Sequence, residues 1–392
     1  MPPTVNPIAD NHRPGNTAVV EIRTARPSDL DQIAALLTAR GEPEDAADHR
    51  LVVEDPDAGW EACAVAVDGD RVVSTATLLD ETVVLGGVEI PTGQVELVAT
   101  DVEYEGRGLV RALMDWAHQR SADRGHLLQV MIGIPYFYRQ FGYSYSTPMP
   151  LPRPVQSVPT GEDLVREARL SDIPDLVRLQ DIAQSGVELR VPRSAACWRW
   201  VIAQPGSSLH VATRADQVVG CARMAEDTMH EFVALDSDAA MSLLSLAPAT
   251  VDARPGLALD AFLGPPSGQL QEFYFRIPSA AALLEHLRPL LARRLAGFDD
   301  TDVLVSFFRS HVRFAWQDGE VGPVRPGGTL QGPYSQGGAG VAPDLLAPLL
   351  FGPHGMAGLR QRHSDCYPGP HAELMEALFP PVTSDLLLWY LP

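Results

Sequence analysis

Apolar and polar residues alternate in the same way at two places in the chain, and each place predicts a short strand followed by an amphipathic helix. Residues 22–36 read IRTARPSDLDQIAAL and residues 165–179 read VREARLSDIPDLVRL, with Arg, Ala, Arg, Ser and Asp in register. In each copy Ser28 or Ser171, or the aspartate that follows it, is placed to cap the helix. Pro174 falls near the first turn of the second helix, where a missing N–H costs little.

A second pair of segments predicts matching β-hairpins. Residues 64–76 (AVAVDGDRVVSTA) and residues 210–222 (HVATRADQVVGCA) alternate apolar and polar positions on both sides of a tight turn. A third pair follows, VELVATD at residues 95–101 and HEFVALD at residues 230–236. The three pairs occur in the same order at offsets of 143, 146 and 135 residues. We therefore expect two related domains.

The two copies differ after the third strand. The first continues VEYEGRGLVRALMDWA, whereas the second passes almost directly into the helical segment SDAAMSLLSLA, which has no glycine and no arginine. Residues 283–297, 342–352 and 373–380 then show helical spacing, and residues 302–316 alternate partly as strands. The predicted fold class is α/β (α+β), with mixed central sheets flanked by helices.

The length and the net charge of the chain limit its number of domains and the ligands that it is expected to bind. A chain of 392 residues is too long for one core and predicts two or three domains. Its formal charge of −20 argues against nonspecific nucleic-acid binding, which requires Lys and Arg. The charge is compatible with a cationic substrate, although many soluble proteins are simply acidic.

Neither a targeting segment nor a metal cluster is indicated. The four cysteines are far apart and form no CxxC pair, so no disulfide framework or zinc site is expected. The first residues are polar, and no apolar run reaches the roughly 20 residues of a membrane span. A cytoplasmic protein without metal is the expectation.

The segment EGRGLV at residues 105–110 predicts an anion site. A helix N-terminus carries unpaired N–H groups and about half a positive charge, and Gly106 and Gly108 allow the backbone to approach a ligand closely. Arg107 and Arg111 add side-chain charge on the same turn. The alternative is a strand-to-helix turn that merely uses glycine.

This segment and the helix after it resemble the pyrophosphate loop of the GCN5-related N-acetyltransferase (GNAT) superfamily. In the family pattern Arg/Gln-x-x-Gly-x-Gly/Ala, Gly108 matches, whereas Glu105 and Val110 replace the first and last residues. The resemblance implies that residues 106–111 bind the pyrophosphate of acetyl-coenzyme A and that the preceding strand pairs with the pantetheine arm. The implied coenzyme-binding residues are Val98, Thr100, Gly106, Arg107, Gly108, Leu109, Val110 and Arg111.

The segment FYRQFGY resembles the part of the family in which a tyrosine precedes a Phe-Gly-Tyr turn. That tyrosine is Tyr138, and the resemblance implies that it is the general acid for the departing thiolate. The chemistry needs such a group, because thioester aminolysis requires a neutral amine and then a proton for sulfur. Packing within an aromatic cluster is the alternative.

The order of segments resembles Eis-type acetyltransferases, which have an active GNAT domain, a degenerate copy and a domain similar to sterol carrier proteins. The expected divisions are a disordered tail at 1–18, a catalytic domain at 19–155, a degenerate domain at 160–278 and the carrier-like domain at 279–392. The resemblance also implies a homo-oligomer.

Two residues are candidates for the general base. In Eis-type enzymes the terminal carboxylate enters the active site, and the apolar end LLLWYLP is compatible with docking of Pro392. The rival is Glu96, on the strand before the glycine turn. Because Glu231 aligns with Glu96 in the copy without that turn, a structural role for this position stays open.

The resulting expectation is an N-acetyltransferase that transfers the acetyl group of acetyl-CoA to a primary amine. The acceptor would be a small cationic molecule, of polyamine or aminoglycoside type, or a lysine side chain. The acidic tract at residues 41–62 lies where GNAT folds cover the acceptor, although a solvated loop is the alternative. The rival function is a noncatalytic acyl-CoA or small-molecule binding protein.

Overall fold

Three β-sheets organise the part of the chain that the computed structural model describes, which is residues 20–41, 44–252 and 259–386. Helices cover the sheets, so the chain has the mixed α/β fold expected from its sequence. The predicted tail at 1–18 and Pro392 lie outside the described residues.

The first part of the chain builds most of the first sheet. Its elements are β1 (Glu21–Thr24), α1 (Leu30–Arg40), α2 (Asp45–Glu54), β2 (Cys63–Asp68), β3 (Arg71–Leu85), β4 (Val88–Thr100), α3 (Leu109–Asp123), β5 (Leu128–Met131) and β6 (Ser144–Pro148), with short 3-10 helices at Pro27–Asp29, Trp60–Ala62, Val102–Tyr104 and Phe137–Phe141. The β2–β3 hairpin turns at Gly69, as predicted. Helices α1 and α2 pack on one face of the sheet and α3 on the other.

The middle of the chain builds a second sheet. Its elements are β7 (Pro152–Pro154), β8 (Leu164–Glu167), α4 (Ile173–Gln184), β9 (Leu189–Arg190), α5 (Ala195–Ala203), β10 (Ser207–Arg214), β11 (Gln217–Ala225), β12 (Thr228–Ala234), α6 (Ser237–Leu244) and β13 (Thr250–Asp252), with a 3-10 helix at Leu170–Asp172. The strand order is β7-β13-β12-β11-β10-β8. The short strand β9 instead pairs with β3 in the first sheet.

The last part contributes the third sheet and two strands of the first, which are β14 and β21. Its elements are β14 (Glu272–Arg276), α7 (Ala280–His286), α8 (Arg288–Leu295), β15 (Thr301–Ser306), β16 (His311–Gln317), β17 (Glu320–Val321), β18 (Arg325–Gly327), β19 (Ala339–Val341), α9 (Leu346–Phe351), α10 (Gly355–Arg362), β20 (Cys366–Tyr367), α11 (Ala372–Leu378) and β21 (Ser384–Asp385), with 3-10 helices at Pro333–Gln336 and Pro343–Leu345. The predicted helix at 283–297 is divided between α7 and α8, and Pro289 lies at the start of α8. As expected, α9 ends before Gly352.

Two sheets exchange strands across the predicted divisions of the chain. Strand β14 inserts between β5 and β6 of the first sheet, although it follows all of the second sheet in sequence. Strand β7 pairs with β13 in the second sheet, although it precedes the predicted boundary at 155. The divisions at 155, 160 and 278 stay predictions, and the strand pairing shows that the first two sheets are not built from separate stretches of chain.

The sequence repeat corresponds to a repeated ion pair. Arg23 binds the Asp29 carboxylate with two hydrogen bonds of 2.7 and 3.0 Å, and Arg166 binds Asp172 at 2.7 and 2.9 Å. Each aspartate also accepts a backbone N–H three residues earlier at 2.8 Å. The aspartate of each repeat, rather than the serine, therefore fixes the start of the helix.

Strand register corrects the alignment of Glu96 with Glu231. The first and second sheets each have a β-bulge in their third long strand, where two residues face a single residue of the neighbouring strand. The first bulged residue is Leu97 in β4 and Glu231 in β12, and both have φ of 53°. Glu96 is therefore equivalent to His230, so Glu231 gives no reason to regard Glu96 as structural.

The first two sheets meet through helices α2 and α5. Trp200 of α5 packs in the core beneath α1 and α2, and its indole N–H donates to the Asp55 carboxylate at 2.8 Å. Beside it, His49 of α2 is fully buried and lies with its ring 6.1 Å from that of Trp60. Neither ring nitrogen of His49 has a hydrogen-bond partner among the described residues.

Burial lowers the pKa of His49 to about 4, and nearby Arg50 acts in the same direction. The neutral ring is favoured in the folded state, so this contribution to stability is complete above pH 6.5 and is lost as the pH falls towards 4. Between pH 7.5 and pH 5 the loss should be roughly 2 kcal/mol, a difference that His49→Leu should remove. Denaturation of both proteins at the two pH values measures it.

The matched control for this prediction is His363→Leu, because the side chain of His363 is exposed. That variant should keep the pH dependence of the unsubstituted protein. Equal pH dependence in His49→Leu and the unsubstituted protein would show that His49 does not titrate in this way.

Among the described residues, no helix is both long and apolar enough to cross a bilayer. All four cysteines are buried free thiols. Within the same part of the chain, no three His, Cys, Asp or Glu side chains are grouped so that they could hold a metal ion.

Candidate active site

A cleft opens where β4 and β5 separate. The two strands pair in parallel only from Thr92 to Gln94 on β4, and β4 then continues through its bulge to Thr100, paired among the described strands only with β3. A cavity of about 530 Å³ lies beyond this point. Its lining residues are Arg40, Val98, Ala99, Thr100, Tyr104, Glu105, Gly106, Gly108, Leu109, Val110, Arg111, Ile134, Phe137, Tyr138, Gln140 and Phe141.

The glycine turn forms one end of this cavity. Gly106 and Gly108 have φ of 74° and 78°, a left-handed conformation that favours glycine. A Cβ at either position would meet no atom within 4 Å, so the space beside both glycines is open. Gly108 immediately precedes α3, whose first N–H groups have no partner within the helix and carry partial positive charge. The turn fits an anionic group such as a diphosphate.

Of the two arginines predicted to contact the coenzyme, one lines the cavity and the other does not. Arg111 lines the cavity, donates to the Gln140 side chain at 3.0 Å and lies 5.1 Å from the centre of the Phe141 ring. Arg107 instead lies 4.4 Å from the centre of the Tyr104 ring and donates to the carbonyl oxygen of Glu103 at 2.9 Å. Of the eight predicted coenzyme-binding residues, all except Arg107 line the cavity.

Arg40 is a cavity residue that sequence reasoning missed. It is the last residue of α1, and it forms an ion pair with Glu105, the acidic residue at the first position of the glycine turn. The negative charge of Glu105 therefore has a cationic partner beside the anion site. The two residues are 65 positions apart, so no local pattern could reveal the pair.

Tyr138 lines the same cavity as the glycine turn. Its ring is 5% exposed and contacts the rings of Phe137 and Tyr274 at centroid distances of 5.1 and 6.0 Å. Gly133 makes room for this ring, because a Cβ there would lie 2.4 Å from a ring carbon. The hydroxyl forms no hydrogen bond with the described residues. Burial, with a smaller effect of the nearby Glu96, raises the pKa of Tyr138 to about 12.

Glu96 lies on the face of β4 that α2 covers. The Gln94 amide donates to its carboxylate at 2.6 Å. Burial is the main cause that raises the pKa of Glu96 to about 8, and the carboxylates of Asp45 and Asp48 add to it. These two aspartates belong to the acidic tract at residues 41–62, so part of that tract faces the candidate base.

Glu81 of β3 is a second buried carboxyl on the same face, and sequence reasoning also missed it. One of its oxygens has no hydrogen-bond partner among the described residues, and burial raises its pKa to about 8. Arg193, which lies between β9 and α5, opposes that shift and binds the buried Glu231 of the second sheet with two hydrogen bonds of 2.6 Å. Glu231 therefore serves a buried ion pair.

The segment that builds the cavity is similar to a known protein family. Residues 21–146 match the family model of an acetyltransferase (GNAT) domain. The match spans the glycine turn, the bulged strand and Tyr138, so the part of the chain that builds the cavity is similar to a GNAT acetyltransferase domain. No curated protein gives a significant match to the chain.

Solved structures share the fold over almost the whole chain. A GCN5-related N-acetyltransferase from Anabaena variabilis has a TM-score of 0.69 at 15% identity, covering 93% of this chain and 97% of its own. Eis1 from Mycobacterium abscessus has a TM-score of 0.60 at 16% identity, covering 93% and 98%. The N-myristoyltransferase of Saccharomyces cerevisiae, solved with bound myristoyl-CoA, has a TM-score of 0.50 at 11% identity, covering 69% and 85%. At these identities the likeness is one of fold.

Proposed function

We propose that the protein is an N-acetyltransferase that transfers the acetyl group of acetyl-CoA to a primary amine. The observation that supports this most is one cavity that brings together the glycine turn at a helix N-terminus, Arg111 and the hydroxyl of Tyr138, which has no hydrogen-bond partner among the described residues. An anion site and a proton donor in one cavity suit a diphosphate-bearing thioester.

The chain's own groups can carry out each proton transfer. The amine nitrogen attacks the thioester carbonyl carbon, the C–S bond breaks, and the amine proton passes to the Glu96 carboxylate, directly or through water. The hydroxyl of Tyr138, which stays protonated at neutral pH because its pKa is about 12, donates a proton to the leaving sulfur. Pro392, the alternative base, lies outside the described residues.

The charge around Glu96 favours a cationic acceptor. Asp45 and Asp48 influence Glu96 from α2, and an approaching cation would favour the charged forms of Glu81 and Glu96, whose pKa values burial raises to about 8. A small polyamine-like or aminoglycoside-like molecule, or a lysine side chain, would supply the ammonium group that such carboxylates attract. The net charge of −20 acts in the same direction at long range.

Thiol release from acetyl-CoA across a panel of amines tests the proposal, with product mass to locate the acetyl group. We expect release that depends on the amine and falls by about 100-fold or more in Gly108→Val, because a β-branched residue is strained at φ of 78° and fills the open space of the turn. Equal release by both proteins would contradict it.

A noncatalytic acyl-CoA binding protein is the second candidate, favoured by Glu105 and Val110 at two positions of the loop pattern. Coenzyme binding without transfer to any amine of the panel would support that candidate. A sterol-carrier-like third domain, a homo-oligomer and a cytoplasmic location remain part of the proposal as implied by the resemblance to Eis-type enzymes.

A further inference from the structure

Arg40 reaches the cavity from a helix that carries no other part of the anion site. Its Nε donates to the carbonyl oxygen of Thr100 at 2.9 Å, where β4 ends, and Nη2 donates to the Glu105 carboxylate. The partners are 60 and 65 residues away in sequence. These two contacts hold the guanidinium, whose side chain is 35% exposed, beside the glycine turn.

The guanidinium of Arg40 has donors to spare. It carries five N–H groups, of which the contacts with Thr100 and Glu105 use two, and the others form no hydrogen bond with the described residues. Its planar fork matches two oxygens of a phosphate group. Arg40 lines the same cavity as Gly106 and Gly108, so these donors and the turn's N–H groups border one space.

The negative charge of Glu105 has to be offset before a diphosphate can bind at the glycine turn. Its side chain is half exposed and lines the cavity, so its negative charge would oppose a diphosphate on the glycine turn. Arg40 can offset the charge of Glu105 in two ways. It can only neutralise Glu105, or it can also bind the anion itself.

We propose that Arg40 binds the coenzyme diphosphate directly, and that Glu105 holds the guanidinium in place until the diphosphate takes over the contact. The inference rests on the proposed function, because the diphosphate is that of coenzyme A. Glu105 then competes with the ligand for Arg40, so its removal strengthens binding while the loss of Arg40 weakens it.

Calorimetric titration of the full chain with coenzyme A, in a double-mutant cycle, tests this assignment. Arg40→Gln should weaken binding about 10-fold, Glu105→Gln should strengthen it about 3-fold, and Arg40→Gln should still weaken it about 10-fold when Glu105→Gln is present. A double variant that binds as tightly as Glu105→Gln alone would show that Arg40 only neutralises Glu105, and would overturn the proposal.

Further variants distinguish the contribution of the planar guanidinium group of Arg40 from the contribution of its positive charge. Arg40→Lys keeps the charge but loses the fork, so it should weaken binding several-fold, and unchanged affinity would contradict direct binding. Arg50→Gln is the matched control, because Arg50 is an exposed arginine of α2 paired with Glu54 at 3.4 Å. It should bind coenzyme A like the unsubstituted protein, and an equal loss in this control would reduce the effect of Arg40 to net charge and overturn the assignment.

Ligand fragments locate the phosphate group. 3′-Dephospho-coenzyme A should show the same loss with Arg40→Gln as coenzyme A, and pantetheine should show none. A loss confined to coenzyme A would assign Arg40 to the 3′-phosphate and overturn the diphosphate contact. If the unsubstituted protein binds no coenzyme A, the proposed function fails together with this inference. Normal binding that Arg40→Gln leaves unchanged contradicts the inference alone.

Discussion

Replacing Tyr138 by phenylalanine should lower kcat for acetyl transfer by about 10- to 1000-fold with little change in stability. The hydroxyl has no hydrogen-bond partner among the described residues, whereas the ring keeps its contacts with Phe137 and Tyr274. The variant therefore loses a proton donor and almost no packing. Steady-state rates at saturating acetyl-CoA, together with thermal denaturation, measure both effects.

Tyr136→Phe is the matched control for this experiment. Tyr136 lies two residues away and is 73% exposed, so the same change there removes a hydroxyl outside the site. The control should keep its kcat. Near-normal turnover in Tyr138→Phe would remove Tyr138 from the mechanism and would leave the aromatic cluster as its role.

Replacing Glu96 by glutamine should lower kcat/KM by about 100-fold or more, because the amide cannot accept the amine proton. The variant keeps the size of the side chain and can still accept the hydrogen bond from Gln94. Glu89→Gln is the control, since Glu89 is exposed at the other end of β4 and should leave activity unchanged.

The pH profile gives a second signature of Glu96. Burial raises its pKa to about 8, and only the carboxylate form, present above that pH, can act as base. We therefore expect kcat/KM to rise about 10-fold per pH unit up to an apparent pKa near 8 and then to level. Glu81 lies on the same face, and the charge of Glu96 is a minor cause of its raised pKa.

The rise of kcat/KM with pH could also come from deprotonation of the substrate amine. Measuring the pH profile with two acceptor amines of different pKa distinguishes this from titration of Glu96. A limb near pH 8 should appear with both amines and disappear in Glu96→Gln. Unchanged kcat/KM in Glu96→Gln would exclude Glu96 as the base and would leave the Pro392 carboxylate as the remaining candidate.

Local signals were enough to predict the glycine turn and the repeat. Gly106 and Gly108 are needed where the backbone adopts positive φ, and α3 starts directly after them. Each aspartate of the repeated motif binds an arginine six residues earlier in the same copy. Both features involve neighbours in sequence, so the residue pattern alone carries them.

The pairing of strands that are distant in sequence could not be predicted from local residue patterns. The insertion of β14 between β5 and β6 depends on the path of the chain through the whole second sheet. The alignment of Glu96 with Glu231 was one residue out, because a β-bulge shifts register without changing the alternation of residue types in a recognisable manner.

The amino-acid sequence by itself determined the mixed α/β class, the internal repeat, the glycine turn and the tyrosine of the same cavity, because hydrophobic periodicity and backbone conformation act between near neighbours. Tertiary structure alone decided that Arg40 meets Glu105, that Arg107 lies on Tyr104 outside the cavity lining, and that Glu81 is buried on the same face as Glu96. These arrangements depend on which strands and helices pack together, and a single sequence does not encode that packing in any local pattern.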